Sequence, residues 1–298
     1  MDTLWVNCPK ISNVSGCFEG IINAYCASTL RFHSSVTSNN TVTISGLFGL
    51  GSFNEESLPI RINFAGIVPK LVTDNYYSVN GNTTNYAGTF QNRKVYILDS
   101  ESSILQKING LCRNLFVGAK LYLSGSVSTL DMRNVTYATS MFYNCSTYNA
   151  DEETDVRKFV RVILPTNCSQ FTYMFYGSYV LSELPTCWNA STSTYETKMP
   201  AATQNTQHMF SRCVINQDSV QLPADYFQLC KGSLLNTSYM FYDNRYITEL
   251  LYNRNVGLFS DCTNLQNVTY MFYGCWFLHK GMPNNLFGTT PLTRITSL

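Results

Sequence analysis

Apolar residues in this chain fall in short clusters, and self-comparison shows one motif returning along it. The clearest copy is Asn267-Val268-Thr269-Tyr270-Met271-Phe272-Tyr273-Gly274-Cys275. Upstream stand Asn236-Thr237-Ser238-Tyr239-Met240-Phe241-Tyr242, Asn205-Thr206-Gln207-His208-Met209-Phe210, Thr172-Tyr173-Met174-Phe175-Tyr176 and Thr139-Ser140-Met141-Phe142-Tyr143-Asn144-Cys145. The five Phe are separated by 33, 35, 31 and 31 residues, a spacing too regular for chance. A half-motif lies between copies: Leu222-Pro223 to Phe227 and Cys230, then Leu258-Phe259 to Cys262, then Met282-Pro283 to Phe287. Each period is thus two turns, each offering a Phe and often a Cys three residues later.

A unit of about 31 residues cannot bury its own apolar face, so neighbours must stack into one core. Met141, Phe142, Met174, Phe175, Met209, Phe210, Met240, Phe241, Met271 and Phe272 are the expected internal ladder. Thr, Val and Tyr ahead of each pair favour short strands, and Gly, Asn and Pro mark turns. The expected fold is mainly β, with little helix.

Worn copies precede the regular ones. Asn13 to Gly20 carries Cys17-Phe18 in place of Met-Phe, Ile44 to Gly49 keeps Phe48 ahead of Leu58-Pro59, and Asn85 to Phe90 is weaker. Residues 1–130 therefore read as divergent repeats and 131–298 as the regular array. Two insertions interrupt that array: acidic Asp151 to Asp155, and a Ser/Thr-rich stretch from Ala190 to Ala202.

Composition narrows the function. Charged residues are 13% of the chain against roughly 25% in an average soluble protein. Aromatics reach 14%, so hydroxyls and amides must cover the surface. A net charge of +1 gives no electrostatic reason to expect nucleic acid. No run approaches the roughly 18 apolar residues of a membrane span. The start at Met1 lacks the basic and apolar regions of a secretory signal, so either one was removed or that route is not used.

The 11 cysteines contain no Cys-x-x-Cys pair, which removes the zinc and thioredoxin-like spacings. Cys145, Cys213 and Cys275 share one slot, and Cys230 and Cys262 share another. Residues sharing a slot are expected to lie a repeat apart, too far for disulfides within a ladder. Buried free thiols are the expectation there, while one pair among Cys8, Cys17, Cys26 and Cys112 is left open as oxidised.

Met271-Phe272-Tyr273-Gly274-Cys275 resembles the BspA-type leucine-rich-repeat family, whose members carry Met-Phe-x-x-Cys followed by a Leu-containing segment and Leu-Pro. Met174-Phe175-Tyr176-Gly177-Ser178, with Leu181 and Leu184-Pro185, fits with Ser for Cys. The resemblance covers 137–298 well and 1–130 poorly. It implies an elongated solenoid of short parallel strands and a role in surface attachment, with no enzymatic activity to carry over.

Other candidate sites meet plainer explanations. Nine Asn-x-Ser/Thr sequons begin at Asn13, Asn39, Asn82, Asn134, Asn144, Asn167, Asn189, Asn236 and Asn267. Asn13, Asn236 and Asn267 open the repeat, where an amide closing a turn explains them. Of the histidines His33, His208 and His279, His208 fills the slot of Tyr173, Tyr239 and Tyr270 and reads as an aromatic substitute. No catalytic, metal-binding or phosphate-binding motif occurs, and no cofactor is expected. The 20 tyrosines are the strongest functional signal, since Tyr gives rigid amphipathic contact area.

The chain thus reads as a non-enzymatic scaffold for assembly or attachment, meeting protein partners, further copies of itself or glycans. A decoration or fibre component of a phage-like virion is favoured slightly, because free thiols and an absent signal suit assembly in a reducing cytoplasm. A bacterial or protist cell-surface adhesin is the alternative. The array stops mid-repeat at Leu298, so its last turn is expected to be covered by another subunit, a neighbouring protein or further sequence.

Overall fold

Each Met-Phe pair sits in a turn, and the turn is where one repeat is joined to the next. The computed structural model describes residues 3–6, 13, 15–20, 29–32, 45–55, 60–62, 84–85, 87–97, 103–105, 108, 110–152, 154–251, 257–279, 286–288 and 294–296. The Phe amide donates to the carbonyl of the residue before the next Phe. Phe116 reaches Met141, Phe142 Met174, Phe175 Met209, Phe210 Met240 and Phe241 Met271, at 2.8–2.9 Å. Residues two before and two after the Phe do the same, as in Tyr173 N–H to Gln207 O and Gly177 N–H to Ser211 O, both 2.9 Å. Every step therefore carries bonds of one polarity.

Those two flanking positions hold left-handed backbone. Before the Phe this is Gly16, Gly46 and Gly88, each at φ +64°, and after it Asn92, Gly118, Asn144 and Gly177, at +50° to +62°. Gly adopts this region without steric cost, and short polar side chains tolerate it.

The left-handed positions correct the expected placement of strands. Ahead of the last four Met-Phe pairs the backbone makes only single parallel bridges, Gln170 to Asn205 to Asn236 to Asn267, because extended backbone cannot continue into the turn. The Asn in this row earns its place through its side chain. Oδ1 of Asn13, Asn205, Asn236 and Asn267 accepts the amide two residues on at 2.8–3.0 Å, closing an Asx turn.

Regular strands mostly follow the Phe. Ile60–Ile62, Lys94–Ile97, Lys120–Leu123, Ser146–Asn149, Tyr179–Leu181 and Val214–Ile215 form a six-stranded parallel sheet in chain order. Three-stranded parallel sheets join Thr84–Asn85, Gly110–Leu111 and Val135–Tyr137, and join Ser103–Ile104, Thr129–Asp131 and Arg161–Ile163. Val220–Leu222 pairs with Ile247–Leu250, and Thr3–Val6 with Thr29–Phe32, also parallel. Among the described strands the antiparallel pair is Cys187–Asn189 with Thr194–Glu196, a hairpin reaching into the Ser/Thr-rich insertion, and a single antiparallel bridge joins Tyr148 to Arg157. Among the described residues the sheets are small and open, and the helix content is one 3-10 turn at Gln228–Cys230.

Between the sheets and turns lies a row of phenylalanines. Phe18, Phe48, Phe90, Phe116, Phe142, Phe175, Phe210, Phe241 and Phe272 stack in sequence, with centroids 5.4–6.1 Å apart. Met141, Met174, Met209, Met240 and Met271 are buried beside them; Phe272 is only partly buried. A second row joins Phe227, Phe259 and Phe287 at 5.4 and 5.6 Å. The first row and the six-stranded sheet both run across residue 130 without a break. Leu58-Pro59 and Met282 to Asn285 lie outside the described residues.

The slot three residues after the Phe ties neighbours together through side chains. Cys275 Sγ donates to Phe241 O at 3.1 Å, Asn244 Nδ2 to Phe210 O at 3.0 Å and buried Arg93 Nε to Phe48 O at 2.6 Å. The acidic insertion folds back in the same manner. Asp151 accepts the Gly125 amide at 2.5 Å, and Asp155 accepts the Tyr122 hydroxyl at 2.9 Å.

Phe241 is fully buried between two rings. Phe241→Ala should therefore cost about 3–5 kcal/mol. Because the Phe241 turn bonds to and stacks on those of Phe210 and Phe272, amides near these two should lose hydrogen-exchange protection before those near Phe116. Urea unfolding with exchange measurements checks both; a cost below about 1 kcal/mol would contradict the stacked core.

Candidate functional site

The left-handed slot before the Phe changes character along the chain. It holds Gly16, Gly46 and Gly88, then Asn114 and Ser140, then Tyr173, His208, Tyr239 and Tyr270 at φ +53° to +57°. Bulky residues avoid this region, at a cost of about 1–2 kcal/mol each. The rings recover part of that cost by stacking. Tyr173 and His208 lie 4.6 Å apart and His208 and Tyr239 4.5 Å, nearly parallel, with Tyr239 and Tyr270 at 5.3 Å. Such pairs contribute about 0.5–1.5 kcal/mol each. Four residues bear that strain and three stacked pairs offset it, so stacking returns only part of what the row costs the fold.

A second row runs beside it, one residue after the Phe. Tyr143 stacks on Tyr176 at 4.8 Å and Tyr242 on Tyr273 at 5.2 Å. Ser211 interrupts this row, and Arg212 spans the interruption. Its Nη1 donates to the Tyr176 hydroxyl at 3.3 Å, its guanidinium lies 6.0 Å from the Tyr242 ring, and its Nε meets Asp243 at 3.3 Å. Side-by-side contacts such as Tyr239–Tyr242 at 5.7 Å join the rows into one face. Because the rings cover one another, this face offers mainly ring edges and hydroxyls. At its far end Tyr270 and Tyr273 are 53% and 59% exposed, followed by Trp276 at 77% and Phe277 at 55%.

The one Ser–His contact in this face is structural. Ser211 Oγ donates to Tyr239 O at 2.6 Å, so His208 Nδ1, 3.0 Å away, must carry the proton that Oγ accepts. A fully buried hydroxyl with its proton held by a carbonyl is no nucleophile. Burial lowers the His208 pKa, because the packed rings disfavour the imidazolium.

The cysteines are likewise inward. Cys112, Cys145, Cys168, Cys187, Cys213, Cys230 and Cys262 are buried and free, Cys275 is half-buried and Cys17 exposed. Burial pushes the Cys213, Cys262 and Cys275 thiols up to about 12, and Cys168 and Cys187 to about 11. These are small core side chains, not activated nucleophiles. Cys8, Cys26 and His33 lie outside the described residues. Among the described residues, no group of three His, Cys, Asp or Glu is placed to hold a metal ion, and no helix is long and apolar enough to cross a membrane.

Another tyrosine row, unnoticed in the sequence, lines the six-stranded sheet. Tyr96, Tyr122 and Tyr148 stack at 4.3 and 5.3 Å, and Arg157 lies between the Tyr148 and Tyr179 rings at 4.7 and 4.4 Å. Its rim is closed by Lys120 with Glu55 at 2.5 Å and Asp155 at 3.4 Å, which makes it a clamp for the acidic insertion. The register Lys94–Lys120 and Tyr96–Tyr122 could have revealed it, had the strands after each Phe been aligned.

Residues 84–213 match the family described as "Mycoplasma protein of unknown function, DUF285". No curated protein and no solved structure matches the chain.

The depressed His208 pKa predicts an acid-side loss of stability. Below the ordinary histidine value of about 6.5 the unfolded chain takes up a proton that folded His208 resists, so stability falls with pH until the folded pKa is passed. His208→Tyr, matching its neighbours in the row, should remove that component. Urea midpoints of both proteins between neutral and mildly acidic pH should diverge only on the acid side.

Proposed function

We propose that the chain is a non-enzymatic repeat scaffold, a continuous leucine-rich-repeat-like solenoid, whose tyrosine face is a surface for assembly or attachment. One observation carries this reading. Glycine serves the left-handed slot at Gly16, Gly46 and Gly88, yet Tyr173, His208, Tyr239 and Tyr270 bear strain there to build an outward row. A row that costs the fold more than its stacking returns needs a use outside the fold. The parallel in-register repeats and the continuous Phe row support the solenoid. The absence of charge among the face's rings, Arg212 and Asp243 being paired, favours contact with a protein surface or an uncharged glycan.

The favoured setting is a decoration or fibre component of a phage-like virion. Its support is the set of buried free thiols, which suits a chain that folds under reducing conditions. A cell-surface adhesin is the second reading, supported by the match to a family described from Mycoplasma.

Localisation separates the two. Density-gradient separation of particles from envelopes should place the native protein with particles; recovery with envelopes would favour the adhesin. Tyr270→Ser with Tyr273→Ser should leave the urea midpoint nearly unchanged, since both side chains are exposed, and should reduce association at least tenfold. A variant that folds and still associates fully would remove the face from the proposal.

A further inference from the structure

The same stacking rule acts on thiols. Phe227 and Phe259 stack at 5.4 Å with planes 11° apart, so their turns are neighbours in the second row. Cys230 and Cys262 each stand three residues further on. In both turns the Cys amide donates to that Phe carbonyl at 3.1 Å. They are equivalent positions one repeat step apart. Turns whose rings stack at 5.4 Å are spaced by a step inside the roughly 4.4–6.8 Å between Cα atoms that a disulfide accepts. The first row gives a direct measure of how near such side chains come: Ser178 Oγ and Cys213 Sγ, equivalent positions in neighbouring repeats, are 3.5 Å apart.

This corrects the expectation that cysteines of one slot lie too far apart to pair. The reason holds only in the first row, where Ser178 separates Cys145 from Cys213 and Asn244 separates Cys213 from Cys275. Two steps make roughly 9–10 Å, beyond reach. Among the described residues, Cys230 and Cys262 are the cysteines that share a slot in adjacent turns.

We propose that Cys230 and Cys262 are an oxidation-sensitive dithiol that closes into a disulfide and latches these two turns together. Both thiols are buried, and burial holds them protonated, so closure waits for a transient opening of the turns. The oxidant is a small-molecule disulfide such as oxidised glutathione. The opened Cys230 loses its proton to water, and its thiolate attacks one glutathione sulfur, expelling glutathione thiolate and leaving a mixed disulfide. The Cys262 thiolate then attacks the Cys230 sulfur and expels the second glutathione. Two protein thiols are oxidised, one glutathione disulfide is reduced to two thiols, and two protons are released to them. The link closes a loop of about 30 residues, and a loop of that length constrains the unfolded chain appreciably. A chain that folds with thiols would thus be locked on reaching oxidising surroundings.

The folded protein is incubated with oxidised glutathione at mildly alkaline pH, with and without sub-denaturing urea, alkylated and digested without reductant. The expected result is a peptide pair joining Cys230 to Cys262, formed faster in urea, and a raised urea midpoint that dithiothreitol returns to the starting value. Cys262→Ser should show no oxidant-dependent midpoint shift; the reduced and oxidised wild-type comparison needs no variant to fold. Absence of the Cys230–Cys262 peptide, dominance of other pairings, or a link that leaves the midpoint unmoved would each overturn the proposal.

Discussion

The hydrogen bond from one turn to the next sets every other distance in this protein. Around the Phe of the first row, from Phe18 to Phe241, amides are handed to the following turn at 2.7–3.2 Å, always in the same direction. That fixes the step between turns, and equivalent side chains must then touch. Phe rests on Phe because a flat ring fills a buried slot at that step, as Phe175 and Phe210 do with centroids 5.8 Å apart. The same constraint accounts for the low charge content. Like charges in register repel, and where Lys94 and Lys120 do fall opposite each other, Glu55 binds both. A stack of this kind favours neutral side chains that gain from being beside their own copies: aromatic rings, amides and thiols.

Much of this was legible because the step leaves a periodic trace. The Phe of the inner row from 142 onward, and the turn-closing amides Asn236 and Asn267, follow from aligning the chain with itself. Phe116 escaped because Leu115 stands where Met is elsewhere and its spacing from Phe90 and Phe142 is shorter than 31 residues. The strands were misplaced for a different reason. Thr, Val and Tyr favour extended backbone locally, but the left-handed residue before the Phe overrides that preference, and Tyr does not announce a left-handed conformation as Gly does. Tyr173, Tyr239 and Tyr270 look like strand residues and act as turn residues.

The aromatic face and the thiol pair are two outcomes of one geometry. Outward, the step brings rings to 4.5–5.3 Å, where stacking offsets left-handed strain. Inward, it brings γ atoms close enough for Ser178 and Cys213 to meet. Neither follows from composition, because both depend on which residues share a slot in adjacent turns. Cys145 and Cys213 share a slot but not adjacent turns; Cys230 and Cys262 share both.

Function in such a stack has little choice of where to reside. The backbone around each Phe is spent on its neighbour, the core slots are spent on packing, and the Asn slot is spent on closing the turn. Among the described residues, what remains are the outward positions one after and two before the Phe, the outer face of the six-stranded sheet around Tyr179, and the exposed Trp276 and Phe277. The chain fills the position two before the Phe differently along its length, glycine early and aromatic late, although the left-handed backbone there is the same. Stability does not explain the aromatic filling, since stacking returns only part of the left-handed strain. The difference between the halves is therefore what sets the proposed binding surface apart from the rest of the stack.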